Sequence, residues 1–422
     1  MNPQTLKIDG ARLLQRLRDL GRFGALEGGG TNRLALSDAD RAARDWTVAQ
    51  MQALDMAVSV DAIGNVVATY AGTEALPPVM TGSHIDTVRT GGLYDGNYGV
   101  MAGLEVVATL RDAGLRPRRP IQVAFFTNEE GARFQPDMLG SLVLVGGLPL
   151  QQALAVPAVD NGARLGDELQ RIGYAGSAPV GRPVVDSFVE LHIEQGPVMV
   201  AREIPVGVVS GIRGNVRHNK IECFGEAQHS GVVPRWLRKD AVFAVSDLIV
   251  RLDTHWRALL ERGTDLVVTC GVVQTNPAEH SISRVPGYAH FSFEARSKSS
   301  DTLEAFYQLV QAEMASIERE RGVKFQLDRR LLSEPAVTDP QLCDLMAKAC
   351  RERGIAHERI PSGAGHDAAL FANGGVPSAM VFVRNQHGSH NPHEAMELSD
   401  FMLGTQVMAD TIAAIPVAPA SV

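Results

Sequence analysis

The sequence predicts an α/β protein whose mostly parallel sheet is interrupted by a smaller α+β insert. Four short apolar segments, each running into a polar loop, occupy 77–86, 121–131, 187–196 and 377–390. Patterns typical of helices separate them, and this alternation favours a parallel sheet with helices on both faces. Ligands of such sheets gather beyond the carboxyl ends of the strands, so the polar loops indicate where a site would form.

The middle of the chain follows a different pattern, which predicts the insert. Segments 219–227 and 288–296 alternate apolar and polar side chains, as half-exposed strands do. Helical patterns cover 239–262 and 302–320. The predicted domain boundaries are 1–210 and 330–422 for the larger domain and 211–329 for the insert.

The remaining elements are amphipathic or apolar helices. Segments 4–20 and 38–54 have the spacing of amphipathic helices, and an apolar helical pattern occupies 97–112. Ser37, followed three residues later by Asp40, resembles a helix N-cap with an acidic third position.

Length and composition exclude several classes of protein. A chain of 422 residues fits two or three domains, and a net charge of −8 argues against nucleic acid or an anionic membrane as the main partner. Apolar runs stay well short of the roughly 20 residues that span a bilayer, and the charged N-terminus lacks the apolar core of a secretory signal. A cytoplasmic location is expected. The four cysteines form no C-x-x-C pair and are expected to be free thiols.

Histidines and carboxylates cluster where the predicted strands end. The candidates are His84, Asp86, Asp95, Glu129, Glu130, His192, Glu194, His387, His390 and His393. Imidazole and carboxylate ligands without thiolates suit Zn²⁺, Mn²⁺, Co²⁺ or Ni²⁺. A single histidine in a loop is usually a polar surface residue, but repetition at four strand ends indicates a metal site.

Two details indicate how such a site would work. Asp95 stands in a loop with four glycines at 89–99, which lets the backbone bend sharply, so its carboxylate would bridge two cations. The adjacent Glu129 and Glu130 point to opposite sides of an extended segment, so one would bind metal while the other faces a substrate as general base. The alternatives are a flexible glycine-rich loop and a solvated acidic turn.

Several longer motifs lie in order between residues 22 and 402. They are NRLALSDADRAARDW, TGSHIDTV with GGLYDGNYGV, FFTNEEGARF, LHIEQGPV, SGAGHDAALFA and SHNPHE. Together they resemble the dinuclear metal amidohydrolases of the M20 peptidase superfamily. The resemblance is closest to the hydantoinase/carbamoylase branch, which holds N-carbamoyl-L-amino-acid hydrolase, allantoate amidohydrolase, ureidoglycolate amidohydrolase and β-ureidopropionase. It implies a di-metal catalytic domain interrupted by a dimerisation or lid domain.

The resemblance implies two divalent metal ions per subunit and assigns their surroundings. The matching positions are His84 and His192 for one ion, Glu130 and His390 for the second, Asp95 as the bridging carboxylate, Glu129 as general base and Asp86 as the carboxylate that orients His84.

It also implies a set of substrate-binding residues. His229, in GEAQHSG, would stabilise the oxyanion, and in the family this histidine comes from the partner subunit. Arg296 would hold the substrate carboxylate bidentately. Gln195 and Asn215 would contact the substrate, and Ser283 stands in the place of a substrate-binding Asn.

The substrate-binding motifs depart from the family pattern, whereas the metal positions do not. The family's HAGTTPM reads HSGVVPR at 229–235, which loses two threonine hydroxyls and gains Arg235. NVVPG reads SRVPG at 283–287, and Asn215 replaces a glutamine. Hydrolysis is therefore expected, while the identity of the substrate is left open.

The expected function is hydrolysis of the terminal C–N bond of a ureido acid, first an N-carbamoyl-L-amino acid, releasing amino acid, CO₂ and ammonia. Allantoate or ureidoglycolate are the alternative substrates. A peptidase or deacylase of the same superfamily, or a non-catalytic relative, are the alternative kinds of protein. The expected cofactors are two ions of Zn²⁺, or of Mn²⁺, Co²⁺ or Ni²⁺, and the expected partners are the small substrate and a second copy in a homodimer.

Overall fold

The computed structural model describes residues 6–416 and divides into two compact units. The first contains the described chain up to Ser210, the segment Val337–Ser362 and the chain from His366 onwards. The second contains Gly211–Ala336 and Gly363–Gly365.

Helices and strands are numbered along the chain. The α-helices are α1 (Gly10–Leu20), α2 (Asp38–Ala53), α3 (Asn97–Asp112), α4 (Leu139–Leu144), α5 (Leu150–Leu154), α6 (Leu165–Ile172), α7 (Val198–Ala201), α8 (Ala241–Glu261), α9 (Ser300–Arg321), α10 (Pro340–Glu352), α11 (Asp367–Asn373) and α12 (Leu398–Ala414). The strands are β1 (Ala57–Val60), β2 (Val66–Tyr70), β3 (Val79–His84), β4 (Ile121–Phe126), β5 (Ser187–Ile193), β6 (Val206–Ile212), β7 (Gly214–Phe224), β8 (Gln228–His229), β9 (Val267–Thr269), β10 (Val273–Thr275), β11 (Arg284–Val285), β12 (Tyr288–Ser297), β13 (Lys324–Leu327), β14 (Leu331–Ser333), β15 (His357–Ser362) and β16 (Ser378–Val383).

The first unit is built on an eight-stranded sheet with the order β1-β2-β4-β3-β5-β16-β6-β15. Its four central strands, β4, β3, β5 and β16, are parallel. The pairs β1–β2, β2–β4 and β16–β6 are antiparallel. The predicted α/β fold class is therefore confirmed, and the parallel centre consists of the four apolar segments in which the sequence predicts strands.

Helices cover both faces of this sheet, as alternate side chains of β5 show. Val189 and Leu191 are buried in the main core, which also contains residues of α3 and α12. Phe188 points to the opposite face and stacks on Phe371 of α11, with ring centroids 4.2 Å apart. Because side chains alternate along a strand, His192 lies on the same face as Phe188.

The second unit contains a six-stranded antiparallel sheet. Its strands follow the order β10-β12-β7-β13, with β14 also paired to β7 and β9 to β12. Phe291, Phe293 and Ala295 of β12 are buried against residues of α8 and α9, which confirms the alternation predicted for this strand. Separately, β8 and β11 form a two-stranded ribbon in which His229 pairs with Arg284.

The predicted helices match the observed ones closely where local signals are strong. The segment 97–112 is α3 itself, and the Ser37 hydroxyl accepts a hydrogen bond from the Asp40 N–H, as an N-cap should. The predicted helix 4–20 begins only at Gly10, because Asp9 caps the helix from the preceding position. Positions 4 and 5 of that prediction lie outside the described residues.

Two expectations from composition can be compared with the structure. None of the helices within residues 6–416 combines the length and apolar character needed to cross a membrane. All four cysteines are free thiols, as expected, with Cys270 partly buried and the other three buried.

Candidate active site

The carboxyl ends of the central strands bring the predicted metal ligands together. His84 is the last residue of β3, and His192 is the penultimate residue of β5. Glu129 and Glu130 follow β4, and His390 lies in the loop after β16. Because parallel strands end at the same edge of a sheet, segments far apart in sequence meet here.

Asp95 lies at the centre of this group and presents its two oxygens to different ligands. Its Oδ1 lies 3.6 Å from His84 Nε2 and 3.1 Å from His192 Nε2. Its Oδ2 lies 3.6 Å from His390 Nε2, which in turn lies 3.2 Å from Glu130 Oε2. One carboxylate therefore joins two separate donor sets.

Both sets have the chemistry and spacing of metal sites. In each, one donor atom from every member lies within 4.8 Å of the others. Tetrahedral coordination with bonds of roughly 2.0–2.2 Å places ligand atoms roughly 3.3–3.6 Å apart. The four ligand separations, which are 3.1, 3.2, 3.6 and 3.6 Å, lie in or close to that range. The donor sets therefore fit divalent metal ions.

The hydrogen bonds of the two buried histidines leave the correct nitrogen for a metal. Nδ1 of His84 hydrogen-bonds to the carbonyl oxygen of Asp86 at 2.9 Å, and Nδ1 of His192 to the carbonyl oxygen of Ile193 at 2.9 Å. A carbonyl oxygen only accepts, so the proton lies on Nδ1 in both rings. In the neutral ring each Nε2 has a lone pair that an ion can take, and in the structure the Nε2 of His192 accepts a hydrogen bond from the Gly96 N–H at 3.2 Å.

Carboxylates dominate the electrostatics of the pocket. Burial alone would lower the pKa of His84, but Glu129 and Asp95 raise it well above its ordinary value. For His192 the effect of burial is likewise outweighed, chiefly by Asp95, and its pKa is raised. Buried imidazoles that attract protons in this way indicate a strongly negative pocket, which favours cations.

Glu129 lies beside the first donor set, and neither donor set includes it. Its Oε2 lies 3.3 Å from His84 Nε2. Burial raises the pKa of Glu129 well above its usual range, against the opposing charge of His84. A carboxyl group with this environment and no place in the donor sets is suited to exchanging a proton with a substrate or water.

Backbone strain concentrates in these loops. Asn128, Gln195 and His390 have left-handed φ values of 57°, 63° and 58°. Residues other than glycine adopt such values at a cost of about 1–3 kcal/mol each, and they cluster at functional sites. Gly96 also has a positive φ of 62°, and a Cβ there would lie 2.3 Å from the His84 ring. Glycine at this position lets the Asp95 loop approach the imidazole.

Asp86 acts differently from the expectation that its carboxylate orients His84. The carbonyl oxygen of Asp86 makes that contact, and its carboxylate accepts from the backbone N–H groups of Glu129 at 3.2 Å and Glu130 at 3.3 Å. The reason is the turn after β3, which directs the carbonyl back to the ring and the side chain across to the next loop. Asp86 therefore positions the β4 loop and contacts His84 only through its backbone.

Gln195 and Glu394 hold Asp95 from two sides. The Gln195 amide donates to Asp95 Oδ2 at 2.9 Å, and its amide oxygen is buried without a hydrogen-bond partner in the described chain. The Ser389 hydroxyl donates to Asp95 Oδ2 and contacts Glu394 Oε1 at 2.6 Å. Ser389 and Glu394 were not among the predicted site residues, although they are the first and last residues of the SHNPHE motif.

His366 is a third site residue that was not predicted from the sequence. It lies in SGAGHDAALFA just before α11, is almost fully buried, and its ring centroid is 4.6 Å from that of His192. Together with Glu190 and His192 it forms a further group of potential donor atoms. Burial, reinforced by His192, lowers the pKa of His366 well below its ordinary value, so the imidazole is neutral. The motif that contains His366 can be recognised in the sequence, but its proximity to β5 cannot.

The other candidates at the strand ends have other surroundings. Glu194 accepts from the N–H groups of Val198 and Met199, at the start of α7. In the described chain neither donor set includes Glu194, His387 or His393.

The predicted substrate-binding residues other than Gln195 lie in the second unit, as two pairs. Arg296 and Asn215 are direct neighbours on β12 and β7. His229 lies on the β8–β11 ribbon, and the next residue, Ser230, donates its N–H to the carbonyl oxygen of Ser283 at 2.8 Å.

The Arg296 guanidinium is already engaged in two contacts. It donates to the carbonyl oxygen of Gly363 at 2.7 Å and to Glu294 Oε1 at 3.0 Å. Arg217 donates to the same oxygen of Glu294 at 2.6 Å. Arg296 is thus held in a fixed orientation by its neighbours on the sheet and by Gly363.

A family comparison supplies independent information on this site. The model of peptidase family M20/M25/M40 matches residues 80–414, a span that includes both donor sets. The chain belongs to the M20/M25/M40 peptidase family. The predicted resemblance to M20 proteins is therefore confirmed.

Individual relatives of this M20 protein agree with the predicted branch. It is 33% identical over 412 residues to an N-carbamoyl-L-amino acid amidohydrolase of Geobacillus stearothermophilus, covering 96% of this chain and 98% of the relative. It is 30% identical to a ureidoglycolate hydrolase of Arabidopsis thaliana, covering 97% and 87%. Among solved structures, a hydantoinase/carbamoylase family amidase of Burkholderia multivorans has a TM-score of 0.93 at 36% identity, covering 98% and 100%.

Proposed function

We propose that this M20 protein is a metal-dependent amidohydrolase that cleaves the terminal C–N bond of a ureido acid, and that this acid is an N-carbamoyl-L-amino acid. The products are the amino acid, CO₂ and ammonia. The observation that carries this proposal is Asp95, whose two oxygens face two separate donor sets while Glu129 lies unassigned beside the first. Relatives that act on ureido compounds support the substrate class.

The donor residues would hold two divalent ions, of Zn²⁺, Mn²⁺, Co²⁺ or Ni²⁺, which when bound acidify a water and polarise a carbonyl group. Glu129 accepts the proton of the attacking water as its oxygen bonds to the carbamoyl carbon. The same carboxyl then delivers that proton to the departing nitrogen as the C–N bond breaks. The carbamate that remains decomposes to CO₂ and the free amine, which balances the reaction.

Four residues of the second unit and Gln195 of the first complete the proposal. His229 stabilises the oxyanion that forms on the carbamoyl oxygen, and Arg296 binds the carboxylate of the substrate. Asn215, Ser283 and the unpartnered amide oxygen of Gln195 contribute polar contacts to the substrate. We assign 211–329 as the dimerisation and lid domain.

A substrate panel tests the proposal. Purified protein with added Mn²⁺, Co²⁺ or Zn²⁺ is assayed for ammonia release from N-carbamoyl amino acids, allantoate and ureidoglycolate, with N-acetyl amino acids assayed for amine release. Preference for N-carbamoyl amino acids supports the proposal. If allantoate or ureidoglycolate is preferred, the proposed reaction is retained but the proposed substrate is wrong. Hydrolysis of the N-acetyl compounds alone indicates a deacylase.

Arg296→Ala is expected to lower kcat/KM for an N-carbamoyl amino acid, because the substrate anion loses its charge-assisted partner. The loss of transition-state stabilisation should be about 2–4 kcal/mol. Arg296→Lys is expected to do nearly as much damage, since an ammonium group cannot replace the planar fork. The measurement compares the acid with its uncharged amide. Arg217→Ala is the matched control, because it removes the other ion pair to Glu294. An unchanged preference for the acid in Arg296→Ala moves the carboxylate site elsewhere.

A homodimer is expected, in which His229 of each subunit serves the other subunit. Apolar side chains exposed on the second unit support such an interface, among them Trp236 at 82%, Phe243 at 62% and Val250 at 64% exposed. Light scattering measures the mass. Mixing and re-pairing Glu129→Gln with His229→Ala subunits should restore about a quarter of wild-type activity, because half of the dimers then contain one intact site. An active monomer, or mixtures that stay inactive, would contradict this arrangement.

A further inference from the structure

The segment 32–46, NRLALSDADRAARDW, has no role in the chemistry proposed above. It carries two arginines, Arg33 and Arg44, that are both fully buried. Burying a guanidinium is costly unless its N–H groups are satisfied, so two such residues in one short segment need a physical explanation. The burial of Arg44 is explained by its ion pair with Asp40 at 2.8 Å.

Arg33 is different, because its side chain bonds only to neutral oxygens. Within residues 6–416 no carboxylate lies within ion-pair distance of it. Nε donates to the carbonyl oxygen of Ile85 at 2.6 Å, and Nη2 donates to Asn97 Oδ1 at 2.7 Å. Nη1 donates to the carbonyl oxygens of Leu20 at 3.0 Å and Phe23 at 2.7 Å.

The backbone of Arg33 adds a second connection to the same loop. Its N–H donates to the Thr87 hydroxyl at 2.9 Å, and its carbonyl oxygen accepts from the Thr87 N–H at 2.9 Å. Residue 33 is therefore bonded on both sides of Asp86, through Ile85 and Thr87.

These acceptors are adjacent to the donor residues of the site. Ile85 lies between His84 and Asp86, and Asn97 is two residues beyond Asp95. One rigid fork therefore spans the loop that carries His84 and the loop that carries Asp95, and it anchors both to the end of α1. These two loops position His84 and Asp95, whose Nε2 and Oδ1 atoms lie 3.6 Å apart.

The charge of Arg33 suits this position. Burial lowers its pKa to about 10, against the more distant carboxylates of Asp40 and Asp86, so the group stays protonated at neutral pH. A positive charge behind a pocket rich in carboxylates offsets part of their mutual repulsion.

We infer that Arg33 is a positioning residue for the metal centre: its guanidinium fixes the His84 and Asp95 loops at the separation that a bound ion requires. The inference rests on the proposed function, since it presupposes that these loops hold a metal. It goes further by assigning a role to a residue that touches neither metal nor substrate. Residues that orient ligands typically change metal affinity by roughly 10- to 100-fold when they are replaced.

The test is metal retention by the full-length protein. Wild type, Arg33→Lys and Asn97→Ala are loaded with Co²⁺ and dialysed against a graded series of chelator concentrations. Bound Co²⁺ and its visible absorption spectrum, which reports ligand geometry, are recorded with the melting temperature. Arg33→Lys keeps the charge and loses the fork, whereas Asn97→Ala removes one acceptor with little loss of volume.

Arg119→Lys is the matched control. Arg119 is also buried and donates to the carbonyl oxygen of Pro77 at 2.8 Å. It differs in having an ion pair with Asp186 at 2.5 Å, and it lies before β4, at the opposite end of the parallel strands. All three variants are expected to melt earlier than wild type. Only Arg33→Lys and Asn97→Ala are expected to release Co²⁺ at roughly 10- to 100-fold lower chelator concentration and with an altered spectrum.

The possible results separate the inference from the function on which it rests. If Arg33→Lys and Asn97→Ala retain Co²⁺ and its spectrum as wild type does, Arg33 only stabilises the fold and the inference is overturned. The same conclusion follows if Arg119→Lys loses Co²⁺ equally, because the effect is then general destabilisation. If the wild-type chain itself binds no Co²⁺, the proposed function fails and the inference fails with it.

Discussion

Glu129→Gln is expected to retain bound metal and to lose roughly 10²- to 10⁴-fold in kcat, the usual contribution of general acid–base catalysis. The variant keeps the size and hydrogen-bonding shape of the side chain but cannot accept a proton. Neither donor set includes Glu129, so metal binding is expected to survive. Metal content by elemental analysis and kcat at saturating substrate are the two measurements.

Glu130→Gln is the matched control for this experiment, because it makes the same chemical change one residue along the chain. Glu130 lies 3.2 Å from His390 Nε2 and belongs to a donor set, so its replacement should lower metal content as well as activity. A loss of less than tenfold in Glu129→Gln with metal intact would remove Glu129 as the general base. Equal loss of metal in both variants would make Glu129 a ligand.

The fold could be predicted wherever a local pattern was strong. The segments that become β3, β4, β5 and β16 are short, apolar and followed by polar loops, so both their strand character and their shared edge followed from the sequence. The antiparallel strands β1, β2 and β6 were not predicted, because their pairing partners are chosen by contacts between distant parts of the chain.

In the candidate site, too, some features could be predicted from local sequence patterns and others depend on contacts between distant segments. His84, Asp95 and His192 could be expected to meet because each follows or ends a predicted strand. The role of the Asp86 carboxylate could not be derived, since it depends on how the chain turns after β3. His366 was missed for a similar reason. Its contact with His192 joins the start of α11 to β5, and this contact cannot be predicted from the spacing of residues in the sequence.

The buried arginines illustrate a further limit. Arginine is a surface residue in most contexts, so a sequence pattern gives no reason to place Arg33 or Arg44 in the core. Their burial becomes understandable only when the carbonyl and side-chain acceptors from other segments are known. Interactions of this kind, with acceptors up to 64 positions away for Arg33, are where structure adds most to the sequence.

Asp95→Asn is expected to abolish binding at both donor sets, whereas single replacements of their outer members should affect one set each. The substitution preserves the shape of the side chain and removes the charge that both sets share. Oδ1 of Asp95 lies 3.1 Å from His192 Nε2, and its Oδ2 lies 3.6 Å from His390 Nε2. In the described chain no other residue belongs to both of these sets. The loss of metal affinity should exceed the roughly 10- to 100-fold typical of residues that only orient a ligand.

The pattern across three variants decides this prediction. Metal content per subunit is measured after loading with excess Zn²⁺ and gel filtration. His84→Ala and His390→Ala should each lose one of the two proposed ions, and Asp95→Asn should lose both, because among the described residues Asp95 alone belongs to both sets. If Asp95→Asn loses no more metal than His84→Ala, the two sets are independent and Asp95 does not bridge them. If His84→Ala alone empties both, the ions bind cooperatively through the His84 side, and the shared carboxylate is not the main link.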